Sequence, residues 1–265
     1  MKKALSLLLV GAMTLSLAAC GNSSSDSAET DSAATEESTT TEASDSEGSG
    51  EAVFKIGGIG PITGGTAIYG TAVQNGIQIA VDEINAAGGI NGYQIDYDFQ
   101  DDEGDSEKAI NAYNTLKDWG MQVLVGTVTS APCIAVAEET HNDNMFQITP
   151  SGTAVECVQY ENTLRMCFSD PTQGTESAKY IGENGMATKV AVIYDSSDVY
   201  STGIYEAFAA EAANQPFEIV SVEAFTADSK TDFSVQVQKS KEAGADLLFM
   251  PFYYTEASLV LAECD

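Results

Sequence analysis

Residues 53–100 constrain the fold more than any other stretch, because they read as a strand, a helix and a second strand around a glycine-rich mouth. Val53 to Ile59 has strand character, and Gly60-Pro61-Ile62-Thr63-Gly64-Gly65-Thr66 breaks the run with turn chemistry rich in free backbone N–H groups. Val73, Ile77, Ala80, Val81 and Ile84 then fall on one face of a helix, with Gln74, Gln78, Asp82 and Asn85 on the other. Gly88-Gly89 ends the helix and Tyr93 to Phe99 alternates apolar with polar, so the unit is β-α-β with parallel strands. Ligands of such sheets sit at the carboxyl ends of the strands, which assigns the Gly60 to Tyr69 turn to a binding crevice.

The alternation continues. Ala109, Ile110, Tyr113 and Leu116 mark a helix, Met121 to Val125 a buried strand and Ile134 to Glu139 a helix, followed by strands at Phe146 to Thr149 and Thr163 to Phe168. Residues 53–168 therefore form an N-terminal α/β lobe. A second series begins after Asp170-Pro171: a helix with Ala178 to Ile181, a strand at Val190 to Tyr194, a helix lined by Ile204, Tyr205, Phe208 and Ala212, and a strand at Phe217 to Ala224. A helix with Phe233 and Val237, a strand at Asp246 to Met250 and a helix starting at Ala257 to Leu261 complete it. The fold class is α/β: two doubly wound parallel-sheet lobes with a ligand cleft between them. The second lobe, residues 169–265, is expected to be incomplete, since Leu261 to Asp265 continue a helical pattern with no C-cap signal.

The N-terminus is a targeting segment: Lys2 and Lys3, an apolar run to Leu17, then Ala18-Ala19-Cys20. The run is too short for a membrane span. Leu17-Ala18-Ala19-Cys20 resembles the bacterial lipobox, which implies residues 1–20 as a lipoprotein signal with Cys20 the lipidated first residue of the mature chain. Residues 21–52 follow as an acidic tether of small and polar residues with no Lys, Arg or aromatic side chain, too polar to order themselves. As a coil they would span roughly 30 Å.

Formal net charge is −29, and residues 53–265 alone carry 9 Lys plus Arg against 31 Asp plus Glu. Nucleic acid and anionic headgroups are repelled by such a surface, so contact with a membrane is expected through the lipid anchor only. Cys133, Cys157, Cys167 and Cys264 remain once Cys20 is lipidated, and sequence leaves open both their pairing and a buried free-thiol state, with Cys133 and Cys157 the favoured pair. There is no Cys-x-x-Cys and one histidine, His141, so no metal is expected.

With both series placed, the chain resembles the type I periplasmic-binding proteins, in particular the branched-chain amino-acid (Leu/Ile/Val) receptors of ABC importers. The marks are Gly60-Pro61-Ile62-Thr63-Gly64 with Tyr69-Gly70, the run from Ala80-Val81-Asp82-Glu83-Ile84-Asn85 to Gly92, and Ile148-Thr149-Pro150-Ser151-Gly152-Thr153. The Arg165 strand leading to Asp170-Pro171-Thr172-Gln173-Gly174, and Thr231-Asp232-Phe233-Ser234, complete them. The match runs from about Phe54 onward, and members usually continue for roughly another hundred residues that close the second lobe.

That resemblance implies two lobes closing on a zwitterionic amino acid, with ABC permease subunits as partners and no cofactor. The residues suit the chemistry. Arg165 is the one arginine, so neutral dipoles must take the α-carboxylate. Val128-Thr129-Ser130 precedes a helix whose N-terminus favours an anion, and Ser151-Gly152-Thr153 offers a second set of donors. By matching positions the resemblance carries carboxylate and ammonium contacts onto Ser130, Ser151 and Thr153, and aromatic cleft roles onto Tyr69, Tyr200 and Tyr253. It places an ammonium-binding acid beyond Asp265. Arg165 is read as an internal ion-pair partner.

An enzyme is the first rival. Ser-His-acid catalysis would need His141, which sits on a polar helix end, and no Gly-x-Ser-x-Gly elbow occurs. Gly58-Ile59-Gly60 with Gly64 has the wrong spacing for a dinucleotide loop, and Pro61 removes an N–H. A ligand-binding sensor domain of a receptor is the alternative to transport, because the same two-lobed fold serves both.

Overall fold

The structure is a computed structural model that describes residues 53–264. Cys20 and the 21–52 segment lie outside the described residues.

Two parallel sheets are present. The first has the order β2-β1-β3-β4-β5, from β1 (Val53–Gly60), β2 (Gln94–Asp101), β3 (Val123–Gly126), β4 (Gln147–Thr149) and β5 (Thr163–Arg165). Its helices are α1 (Ala67–Ala86), α2 (Ser106–Trp119) and α3 (Ser130–Asn142). The second has the order β7-β6-β8, from β6 (Lys189–Asp195), β7 (Glu218–Phe225) and β8 (Leu247–Phe249), with α4 (Asp170–Glu183), α5 (Val199–Ala212), α6 (Ser234–Glu242) and α7 (Tyr254–Cys264). All registered strand pairs are parallel. Every expected strand and helix is found.

Parallel strands read as continuous apolar runs because helices cover both faces. Val190 to Ile193 on β6 are fully buried, and Ile59, Tyr113, Leu116, Leu124 and Val136 fill the core of the first lobe. A buried side chain of this size contributes about 1.5–3 kcal/mol. Phe208 stacks on Phe249 at 4.0 Å in the second core.

Both sheets have a switch point, where the chain reverses its direction of travel across the sheet. In the first it lies between β1 and β3, so the crevice opens between the Gly60 to Thr66 turn and Thr127 to Ser130. In the second it lies between β6 and β8, at Asp195 to Asp198 and Met250 to Tyr253. Gly70 lets α1 start against the first crevice, because a Cβ there would lie 1.8 Å from the Pro61 carbonyl oxygen.

Helix α1 departs from its expected faces. Of the proposed apolar face only Val81 is buried, and Ala80 is exposed, as are Ile68 and Ile79. Asn85, placed on the polar face, turns inward, where its amide donates to the Ile95 carbonyl at 2.8 Å and accepts from the Ile95 N–H at 2.7 Å. β5 also stops at Arg165 rather than Phe168, and Met166 and Phe168 are exposed beyond it. Among the described residues no helix is long and apolar enough to cross a membrane.

Candidate functional site

The two switch points face each other. Thr255 Oγ1 in α7 donates to the Gly65 carbonyl at 3.0 Å. Tyr69 lies against Tyr253 with ring centroids 5.6 Å apart, and Tyr253 stacks on Tyr200 at 4.9 Å. The three tyrosines assigned to the cleft therefore meet in one bridge between the lobes. Burial pushes the Tyr253 and Tyr200 phenols upward, so both remain neutral donors.

On the first lobe the crevice is stitched by side chains of alternate residues. Gln147 Nε2 donates to the Gly126 carbonyl at 2.9 Å, Thr149 Oγ1 to that of Thr127 at 2.6 Å, and Ser151 Oγ to that of Val128 at 2.7 Å. The period of two along β4 puts Gln147 and Thr149 on one side, and Ser151 follows in the turn beyond it. Ser130 Oγ accepts from the N–H groups of Thr153 and Ala154, each at 3.2 Å, and Ser130 is 2 % exposed. Thr149 Oγ1 also accepts from the Gly152 N–H at 2.8 Å, where a Cβ would collide.

Ser130, Ser151, Gly152 and Thr153 thus form one cluster, with the hydroxyls of Ser130 and Ser151 engaged in holding it. Thr129 differs. It is the N-cap of α3 yet makes no capping bond, and its buried Oγ1 has no partner. It lines a cavity of about 280 Å³ with Thr66, Glu103, Asp198, Tyr253 and Glu256. The first N–H groups of α3 stand at the same end, with the dipole favouring an anion.

Asp170 was missed by sequence reasoning. It opens α4 behind the N-cap Ser169, and its N–H donates to the Thr153 carbonyl at 2.9 Å. The residue is 1 % exposed, and among the described residues neither carboxylate oxygen is in hydrogen-bond geometry, with Thr153 and Arg165 the nearest groups that favour its charge. Burial pushes its pKa up to about 6. It lines a cavity of about 260 Å³ with Ala154, Val199 and Gly203, beside the first turn of α5. At a helix start an Asp reads as a cap residue, and only its missing partners distinguish it.

Arg165 is not an ion-pair partner. Its guanidinium donates to the carbonyls of Thr153 at 3.0 Å and Ala154 at 2.9 Å, and among the described residues it makes no salt bridge. It braces the turn that carries the cluster. Asp101 braces the opposite wall, where Ile62 and Glu103 N–H groups reach its Oδ1 at 2.9 Å. Its burial would raise the pKa, but bonds from Thr63, Glu103 and Ile62 outweigh that and hold it below the usual range.

Another hollow, about 630 Å³, runs beside β8, with an apolar wall of Phe168, Tyr180, Met186, Leu247 and Phe249 and a polar rim of Thr172, Gln173 and Glu176 from α4. His141 is exposed and stacks on Tyr160 at 4.1 Å.

A periplasmic binding protein family model matches residues 53–264. The chain belongs to that family. Over 212 residues it is 34 % identical to a Leu/Ile/Val-binding protein of Rhizobium johnstonii, which covers 79 % of this chain and 57 % of the relative. The branched-chain amino acid transporter substrate-binding protein of Streptococcus pneumoniae, solved with isoleucine, is 32 % identical with a TM-score of 0.75, over 80 % of this chain and 60 % of that one. A leucine-binding protein of Thermotoga maritima is 27 % identical with a TM-score of 0.73, over 80 % and 60 %. The chain therefore spans less than two thirds of the length of these relatives. The family is one of binding proteins rather than enzymes, and the type I two-lobed fold agrees with the resemblance read from the motifs.

Proposed function

We propose that this chain is the extracytoplasmic receptor of an ABC importer for an aliphatic amino acid, anchored through lipid on Cys20 and held off the membrane by residues 21–52. The observation that carries the reading is a pair of buried polar groups outside the hydrogen-bond network of the described residues: Thr129 Oγ1, in the cavity bordered by Tyr253, and the Asp170 carboxylate, which lines a separate cavity. Thr129 and the start of α3 suit an α-carboxylate, while Asp170 suits an ammonium group. Asp170 takes the role that the resemblance placed beyond Asp265. Ser130, Ser151, Gly152 and Thr153 shape the carboxylate cradle, and Tyr69, Tyr200 and Tyr253 close over the aliphatic part. Relatives named for leucine, isoleucine and valine support the substrate class.

Thermal denaturation with single solutes tests this. Ligand at a hundredfold excess over Kd adds about 2.7 kcal/mol, or roughly 5–10 °C at this size. Leucine, isoleucine or valine should give that shift. A shift with sugars or nucleosides and none with any aliphatic amino acid would defeat the assignment. Metabolic labelling with palmitate should mark the wild type and spare Cys20→Ser.

A further inference from the structure

Gly152 sits among sulfur atoms that the ligand reading does not use. A Cβ built on it would meet Cys157 Sγ at 3.1 Å and Cys133 Cβ at 3.2 Å. Both cysteines are fully buried and pack with Ala154 in one small cluster. Cys133 stands in the first turn of α3, where its N–H donates to the Thr129 carbonyl at 3.1 Å. Cys157 stands in a 3₁₀ turn, Val155–Val158, where its N–H donates to the Ala154 carbonyl at 3.1 Å. Cys157 Sγ also lies 3.7 Å from the Ser130 carbonyl, in the same turn of α3 as Cys133. Both are free thiols in the structure, packed in the same cluster on either side of Gly152, each on an element whose backbone is fixed independently.

We propose that Cys133 and Cys157 form a disulfide in the exported protein, stapling the N-terminus of α3 to the turn that follows Ser151–Thr153. The inference shares only export with the functional reading and does not depend on the ligand. Two S–H bonds are replaced by one S–S bond. The two protons and two electrons pass to a disulfide-bearing oxidant, which leaves as its dithiol. Export makes such an oxidant available, whereas cytosolic thiols would stay reduced. The bond closes a loop of about 25 residues and so removes entropy from the unfolded chain. It also ties together two segments already joined by hydrogen bonds of Ser130 and Ser151.

Cys167 is the competing partner. It is partly exposed, and its Sγ lies 3.7 Å from the Gly152 carbonyl. Only the Cys133–Cys157 pair is buried on both sides, where exchange with outside thiols is blocked.

Peptide mapping of exported wild-type protein, denatured and alkylated without reductant, decides the matter. The expected result is a linked Cys133–Cys157 peptide pair, with Cys167 and Cys264 alkylated at once. The double variant Cys133→Ser/Cys157→Ser should melt roughly 5–10 °C below the oxidised wild type. Complete alkylation of both cysteines before reduction, or a link from either to Cys167 or Cys264, would overturn the proposal. If the variant does not fold, the wild-type map gives the answer alone.

Discussion

The two mouths that face each other are built on opposite terms. At the edge of the five-stranded sheet, Gln147, Thr149, Ser151 and Ser130 all bond the neighbouring main chain, and Arg165 braces the turn from behind. On the other side, acids stand at element ends: Asp195 closing β6, Asp198 capping α5 and, at the crossover, Asp170 opening α4, its carboxylate buried and outside the hydrogen-bond network of the described residues. The first mouth is assembled before any ligand arrives, and its polar groups stabilise the fold. The second carries a buried charge that costs stability until a cation neutralises it. Stability and recognition are therefore separable by mutation.

Asp170→Asn gives the largest contrast. A charged hydrogen bond contributes about 1.5–3 kcal/mol, so affinity for the amino acid in titration calorimetry should fall roughly 10- to 150-fold. The same variant should be more stable than wild type in the absence of ligand, by about 1–3 kcal/mol, since a neutral amide at a buried site avoids the desolvation cost. A loss of affinity accompanied by a loss of stability would break the comparison.

Its pH dependence sharpens the point. Because burial raises the folded pKa of Asp170 to about 6, above the ordinary carboxylate value near 3.9, the folded state holds its proton over a window where the unfolded chain has released it. The contribution of this group thus falls as pH rises from about 4 to 6. The advantage of Asp170→Asn in urea denaturation should be greatest at pH 7 and shrink steadily toward pH 4. Asp102, buried with Oδ2 unpartnered and likewise raised to about 6, should add a second contribution of the same sign that survives in the variant.

Ser130→Ala probes the opposite mouth. Its hydroxyl holds two buried N–H groups, so the ligand-free protein should lose about 1–3 kcal/mol in urea denaturation. Affinity should fall less than for Asp170→Asn. The reverse ranking would mean that the hydroxyl serves the ligand more than the fold.

These contrasts follow the line between what the sequence shows and what it hides. Parallel strands such as Val190 to Ile193 are legible because burial on both faces leaves an apolar run, and the glycine-rich turn after β1 marks its crevice. Period alone misassigned Asn85, whose amide is drawn inward by the main chain of Ile95, a partner that composition does not announce. Arg165 looked like an ion-pair partner, because the carbonyls it finds are supplied by the chain's path rather than by residue type. Asp170 was hidden for a related reason: its burial is imposed by α5, where Gly203 leaves room for it.

Lys230→Ala should have the smallest effect. Lys230 pairs with Glu256 at 3.2 Å on the wall of the 280 Å³ cavity, and the lysine is 46 % exposed. The glutamate is 12 % exposed, but the half-exposed lysine leaves the pair open to screening, so stability should change by about 1 kcal/mol and the difference should shrink at high ionic strength. Affinity should change less than twofold in calorimetry, because Lys230 itself is half-exposed and Thr129 and Asp170 carry the ligand contacts. A tenfold gain in affinity would show instead that Glu256, once freed, takes the ammonium group. The division of labour would then have to move from the crossover at Asp170 to α7.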